Sequence, residues 1–340
     1  MTTTTPADLR DPAQLLAALP YLIGFRPEES VVLLGHRHPG NSPGLVLRGD
    51  LPSPEHRAHQ AQAMVPAFAA GHHIGVTLVI VGGERRPGKP PPHQGFIDEL
   101  ERAVGECGLP VLHALWAPEI AKGAPWACYR TEECSGELPD PSATVVAAAA
   151  TERGTVVFDS REELEDLLAP RSPEALARRA DRLSRLTSPD ETTVDEAATV
   201  VREAFLRQRR DEGPPTDEEA VQLARALERP EIRDMCLAMA VPAGNPSARE
   251  AERVWLTLVR EIPPPHRAEP AALLGFTAYL RGDGAFAGMA LDNALEAAPG
   301  HLLTSLLRRV LDTGTPPEVI RGLAAAAAGP LAGFGLDQAA

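Results

Sequence analysis

Ile74-Gly75-Val76-Thr77-Leu78-Val79-Ile80-Val81 is an unbroken, largely β-branched apolar run of strand length. Such a run reads as a strand buried on both faces, because a half-exposed strand would alternate apolar with polar residues. Upstream, Ser30 to Leu34 and Gly44 to Leu47 are shorter runs of the same kind. The segment between them ends in Pro39-Gly40-Asn41-Ser42-Pro43, which predicts a hairpin with a longer turn. Ser53-Pro54-Glu55 opens a helix reaching about Ala70, which Pro66 should kink or shorten. Downstream, Phe96, Leu100 and Val104 repeat at helical spacing, Gly108 ends that helix, and Val111 to Trp116 returns to strand. Asp11-Pro12 starts a first helix of about two turns, with Pro20 expected to stop it. The order β-β-α-β-α-β implies a mixed sheet.

From Ser142 onward nearly everything reads as helix, marked by the capping boxes Ser160-x-x-Glu163 and Thr216-x-x-Glu219 and by prolines at helix entries. Between Leu274 and Pro299 the spacing follows the tetratricopeptide pattern: Leu274-Gly275, Ala278, Ala287, Leu291 and Ala294, with Gly282 at the turn. One unit fits well; an ordinary α-hairpin in a bundle would use the same small residues. The expected fold is therefore an α/β N-terminal domain with a mixed β-sheet flanked by helices, then an all-α C-terminal array with a tetratricopeptide-like hairpin. The expected boundaries are 1–150 for the α/β domain, 151–190 for connecting helices, 191–329 for the repeat-like domain and 330–340 for a flexible tail.

The 340 residues carry a formal charge of −14. Through Ala150 there are 11 basic against 16 acidic residues, and beyond it 22 against 31. Neither half offers the clustered Lys and Arg that a nucleic-acid or anionic-membrane surface needs. Cys107, Cys128, Cys134 and Cys236 are scattered, the start Met1-Thr-Thr-Thr-Thr lacks a charged-then-apolar leader, and the longest apolar runs are far too short to span a bilayer. The expectation is a soluble cytoplasmic protein.

The common chemical motifs fail at the residues that matter. Gly83 to Pro90 resembles a phosphate-binding loop, but Pro90 replaces the hydroxyl that would hold Mg²⁺ and the prolines lack cradling N–H groups. His36-x-His38, His72-His73 and His113 near Cys128 and Cys134 lack metal-ligand spacing, so no metal or other cofactor is expected. No G-x-S-x-G elbow exists. The densest segment is Pro20-Tyr21-Leu22-Ile23-Gly24-Phe25-Arg26-Pro27-Glu28-Glu29-Ser30, which is either a structural plug or the wall of a ligand pocket. As a pocket it would present Tyr21, Arg26 and Ser30. Arg48 and Asp50 at a strand end would join them, with Trp126 and Tyr129 as further contacts.

Leu15-Leu16-Ala17 through Pro20-Tyr21-Leu22, Gly24-Phe25, Pro27 and Ser30-Val31-Val32 resemble the opening of the actinobacterial domain-of-unknown-function 4192 family. The likeness continues through Arg48, Asp50-Leu51-Pro52, Trp126 to Tyr129, Pro264-Pro265-His266-Arg267 and Leu280-Arg281-Gly282-Asp283-Gly284. It implies a cytoplasmic bacterial protein of this length and order, and supplies no activity, cofactor or catalytic residue. Two functions stay open. The first is a non-catalytic binding or scaffold protein, taking a small ligand on the α/β domain and a protein partner on the helical array. The second is an enzyme in which Arg26 or Arg48 binds a small anionic substrate while Asp50 or Tyr129 supplies acid/base chemistry.

Overall fold

The computed structural model describes residues 11–37, 42–69, 73–86, 88–152, 155–186 and 192–327. His38, His72, Pro87 and the expected tail 330–340 lie outside the described residues. The chain divides into two compact units, one running to Leu164 and including Thr313–Thr315, the other taking the residues from Glu165 to Asp312 and from Pro316 onward.

The first unit begins with α1 (Pro12–Ile23), capped by the Asp11 carboxylate, which accepts the N–H of Ala13 at 2.9 Å. The helix does not stop at Pro20: it runs on to Ile23, a turn beyond the expected two. Proline removes one hydrogen bond, but burial of Leu15, Leu16 and Leu19 outweighs that loss. The end comes at Gly24, whose φ of 87° only glycine adopts without strain and whose N–H donates to Pro20 O.

Strands β1 (Ser30–Arg37), β2 (Ser42–Asp50), β3 (Gly75–Val81), β4 (Val111–Ala117), β5 (Pro125–Cys128) and β6 (Ser135–Glu137) form one sheet in the order β2-β1-β3-β4-β5-β6. Only β3 and β4 pair in parallel, so the sheet is mixed as the element order implies. Two helices, α2 (Arg57–Met64) and α3 (Pro66–Ala69), lead into β3, and α4 (Gln94–Glu106) makes the crossover to β4. The expected helix from Ser53 is thus broken at Pro66, and the Ser53 side chain makes no cap. Strand alternation sends Val31 and Leu33 to the face covered by α2 and α4, and Val32 and Leu34 to the face covered by α1. Every residue of β3 is buried, which its unbroken apolar run requires. The β5–β6 hairpin was not expected. After it, α5 (Val145–Glu152) packs on α1, and α6 (Arg161–Asp166) spans the boundary between units.

The second unit is helical: α7 (Pro173–Ser184), α8 (Val194–Arg209), α9 (Asp217–Leu227), α10 (Pro230–Ala238), α11 (Pro246–Glu261), α12 (Ala268–Arg281), α13 (Gly284–Ala297), α14 (Leu302–Asp312) and α15 (Pro317–Ala327). Thr216 and Glu219 form the expected capping box, and Thr193 with Glu196 forms another at the start of α8. At Ser160 the Glu163 carboxylate reaches back to the N–H of Asp159 instead of that of Ser160. The α12–α13 hairpin turns at Gly282, with φ 91°, and Asp283 caps α13. Ala268 through Leu280 are all buried, because α9, α10, α11, α13, α14 and α15 surround α12. Gly275 permits the closest approach there: a Cβ would lie 2.8 Å from Leu291 Cδ2.

A buried guanidinium ties three of these helices together. Arg179 on α7, 5% exposed, donates to Asp217 Oδ1 on α9 at 2.9 Å, to Glu261 Oε2 and Glu261 O on α11, and to Pro215 O at 2.9 Å. Among the described residues no helix is long and apolar enough to cross a membrane.

Candidate functional site

The first candidate lies where the carboxyl ends of β3 and β4 meet the start of β1 and the end of β2. Ser30 stands opposite both Asp50 and Val81, and Arg48 opposite Val32, so Ser30, Arg48 and Asp50 share the α1 face of the sheet. Arg48 is fully engaged. Its Nε donates to Ser30 Oγ at 2.9 Å, Nη2 to Glu28 O at 3.4 Å, and Nη1 pairs with Asp50 Oδ1 at 2.6 Å, while the guanidinium lies 5.7 Å from the centroid of the Phe25 ring. Phe158 pins the same segment: its N–H donates to Gly24 O at 3.0 Å and its carbonyl accepts from the N–H of Arg26 at 3.1 Å. The Arg26 side chain is exposed and reaches Asp159 Oδ1 at 3.5 Å. Tyr21 is half-buried in the last turn of α1. These contacts give Arg48, Ser30 and Asp50 a holding role for the Pro20–Ser30 segment, with the Arg48 charge already met by a carboxylate.

Trp126 and Tyr129 stand elsewhere. Trp126 on β5 is three strand positions from Ser30 and four from Asp50, about 14 and 19 Å at the usual strand spacing. It packs into the α1-side core, whereas Tyr129 packs on the opposite face and donates from its hydroxyl to Pro92 O at 2.6 Å. Burial pushes the Tyr129 phenol far above its ordinary value, so it stays protonated. Of the seven residues singled out from sequence, Ser30, Arg48 and Asp50 are in contact, Tyr21 and Arg26 lie on the adjoining Pro20–Ser30 segment, and Trp126 and Tyr129 are separate packing positions.

The strand ends also bring together residues that sequence did not single out. Glu29 and His93 both adopt positive φ, 38° and 63°, a costly conformation for residues with a Cβ. The Glu29 carboxylate accepts the N–H of Gly83 at 3.1 Å, and Gly82 at φ 123° leaves room for it: a Cβ on Gly82 would fall 2.6 Å from Glu29 Oε1. His93 precedes α4, where burial first, and then nearby Arg57, lower its pKa against the pull of Glu29. The imidazole is thus biased toward its neutral form.

The second candidate is a cavity of about 260 Å³ between α8, α9 and α11. Its floor is apolar, from Val200, Ala204, Leu223, Val254 and Leu258, and Thr199, Gln208 and Thr257 add neutral polar groups. Its charged wall holds three carboxylates, Glu203, Glu212 and Glu219, against one guanidinium, Arg207. Arg207 Nη2 donates to Glu219 Oε1 at 2.5 Å, and Nη1 stands 3.8 Å from Glu212 Oε2. Burial raises the Glu219 pKa, but the N–H and hydroxyl of Thr216 and the Arg207 guanidinium outweigh it, and the carboxyl is held below its ordinary value. Arg207 thus answers Glu219, and Arg210 Nη1, outside the lining, stands 3.5 Å from Glu212 Oε1, which leaves Glu203 and a partly answered Glu212 on an acidic wall. No local spacing could reveal this site, since its walls come from three helices far apart in sequence.

Among the described residues no group of three or more His, Cys, Asp and Glu is placed to hold a metal ion. A family model described as Domain of unknown function (DUF4192) matches residues 12–318. No curated protein and no solved structure matches the chain.

Proposed function

The chain belongs to the family described as Domain of unknown function (DUF4192), and from that premise we propose that it is a non-catalytic binding protein whose helical unit takes a small organic cation with an apolar body. The observation that carries this reading is the α8–α9–α11 cavity, in which three carboxylates and one guanidinium stand over an apolar floor. Its volume of about 260 Å³ lies near the small end of ligand clefts, typically ~300–1,000 Å³, which favours a compact occupant. The cationic head meets Glu203 and Glu212 while the alkyl part covers Val254 and Leu258; a basic side chain of a partner protein presents the same chemistry.

Calorimetric titration of the full chain with agmatine, and with glutarate as an anionic probe of similar length, tests this. Saturable agmatine binding without glutarate binding is expected. Glu203→Gln and Glu212→Gln should each weaken it about 2- to 5-fold, the range for partly exposed charge pairs. Equal binding of both probes, or of neither, would contradict the reading.

A second reading is an enzyme acting on a small polar substrate at the strand ends of the first unit. The two strained residues Glu29 and His93, both charge-bearing or titratable and both beside Gly82-Gly83, favour it. It predicts that Glu29→Gln or His93→Gln abolishes turnover of whatever substrate a metabolite screen identifies, with the folded structure intact by circular dichroism.

A further inference from the structure

Cys128 ends β5 of the unexpected hairpin, and Cys134 stands in the turn immediately before β6. The register pairs Pro125 with Glu137, Trp126 with Gly136 and Ala127 with Ser135, and one step further sets Cys128 directly opposite Cys134. The N–H of Cys128 donates to Cys134 O at 2.8 Å, which marks a hydrogen-bonded cross-strand position. Directly opposed residues at such a position have Cα atoms about 5.5 Å apart, inside the ~4.4–6.8 Å that a disulfide spans. Both side chains pack on the α1 face of the sheet, and both are half-buried, so small reagents can reach them. Burial and the adjacent Cys128 thiol, with which it hydrogen-bonds, push the Cys134 thiol up. Cys128 Sγ accepts the N–H of Arg130 at 3.4 Å.

We propose that Cys128 and Cys134 form a reversible disulfide by exchange with a low-molecular-weight disulfide, stapling the edge strand β6 to β5. The Cys128 thiolate attacks one sulfur of the reagent, forming a mixed disulfide and releasing one small thiol. Cys134, after giving up its proton, then attacks Cys128 Sγ, closing the protein disulfide and releasing the second small thiol. Two protein thiols are oxidised and one small disulfide is reduced to two thiols. Cys107 packs on the opposite face of the sheet and Cys236 is buried in the helical unit, so neither competes.

The test is oxidation of the full chain with glutathione disulfide, followed by thiol counting and peptide mapping. The expected result is loss of two of the four thiols, a mass about 2 Da lower, and a single crosslinked peptide pair joining Cys128 to Cys134, all reversed by dithiothreitol. Cys134→Ser should instead accumulate a glutathione adduct on Cys128, because the second step has no nucleophile. Retention of four free thiols in the wild type, a stable adduct on Cys128 in the wild type, or a bridge involving Cys107 would each overturn the proposal. The wild-type crosslink map decides the matter even if a variant folds poorly.

Discussion

Replacing Arg179 by methionine should destabilise the helical unit more than any other single change at a charged position. The guanidinium is 5% exposed and Glu261 4% exposed, and every partner of Arg179 is a carboxylate or carbonyl oxygen. Methionine fills most of the space but leaves the Glu261 carboxylate in a dry site, with Arg171 Nε 3.9 Å from its Oε1. Breaking a buried ion pair from one side costs about 3–5 kcal/mol, since the abandoned charge keeps its desolvation penalty. Against a typical domain stability of ~5–15 kcal/mol, that is a large fraction of the total. Asp217 suffers less because Arg178 Nε still reaches its Oδ2 at 2.8 Å. Urea denaturation followed by far-UV circular dichroism, and by the fluorescence of the fully buried Trp255, reads the loss. The double variant Arg179→Met/Glu261→Met removes both charges and should recover most of the stability. A loss below about 1 kcal/mol for the single variant, or a double variant no better than it, would refute the reasoning.

Gly275→Ala tests the α12–α13 contact: alanine gains about 1 kcal/mol of helix propensity, but overpacking against Leu291 costs about 1–3 kcal/mol, so the net effect should be a loss of up to ~2 kcal/mol by thermal denaturation. Gly82→Ala should cost more, about 1–3 kcal/mol, because it combines an unfavourable φ of 123° with a clash on Glu29. For pH, His93 and His113 both have pKa values lowered below 6.5, chiefly by burial, so the unfolded chain binds their protons more readily. The stability they contribute is complete above pH 6.5 and is lost as pH falls through their lower folded values, so urea midpoints should drop on acidification and His93→Gln or His113→Gln should shallow that slope. Tyr129→Phe removes the hydrogen bond to Pro92 O and should cost about 0.5–1.5 kcal/mol in chemical denaturation.

What sequence revealed and what it hid follow from where the information lies. The run through Val76 to Val81 announced a strand buried on both faces because its apolar pattern is local and unbroken. Pro20 misled, since its local cost is visible in sequence while the compensating burial of Leu15, Leu16 and Leu19 is not. The β5–β6 hairpin escaped notice because Ser135-Gly136-Glu137 is exposed throughout and carries no apolar alternation. Arg179 reads as one of two neighbouring surface arginines until tertiary packing buries it. Around the strand ends, Arg48 touches both Ser30 and Asp50, whereas distant Trp126 could not be separated from them without strand order. The acidic cavity was hidden for a similar reason: Glu203, Glu212 and Glu219 each look like ordinary solvated helix-surface or loop charges.

The most direct test of the binding account is methyl chemical-shift mapping of the full chain titrated with agmatine. The account predicts saturable shifts concentrated on Val200, Leu223, Val254 and Leu258, which line one cavity from three helices. Absent shifts, or shifts scattered over the first unit with those four methyl groups unmoved, would contradict it.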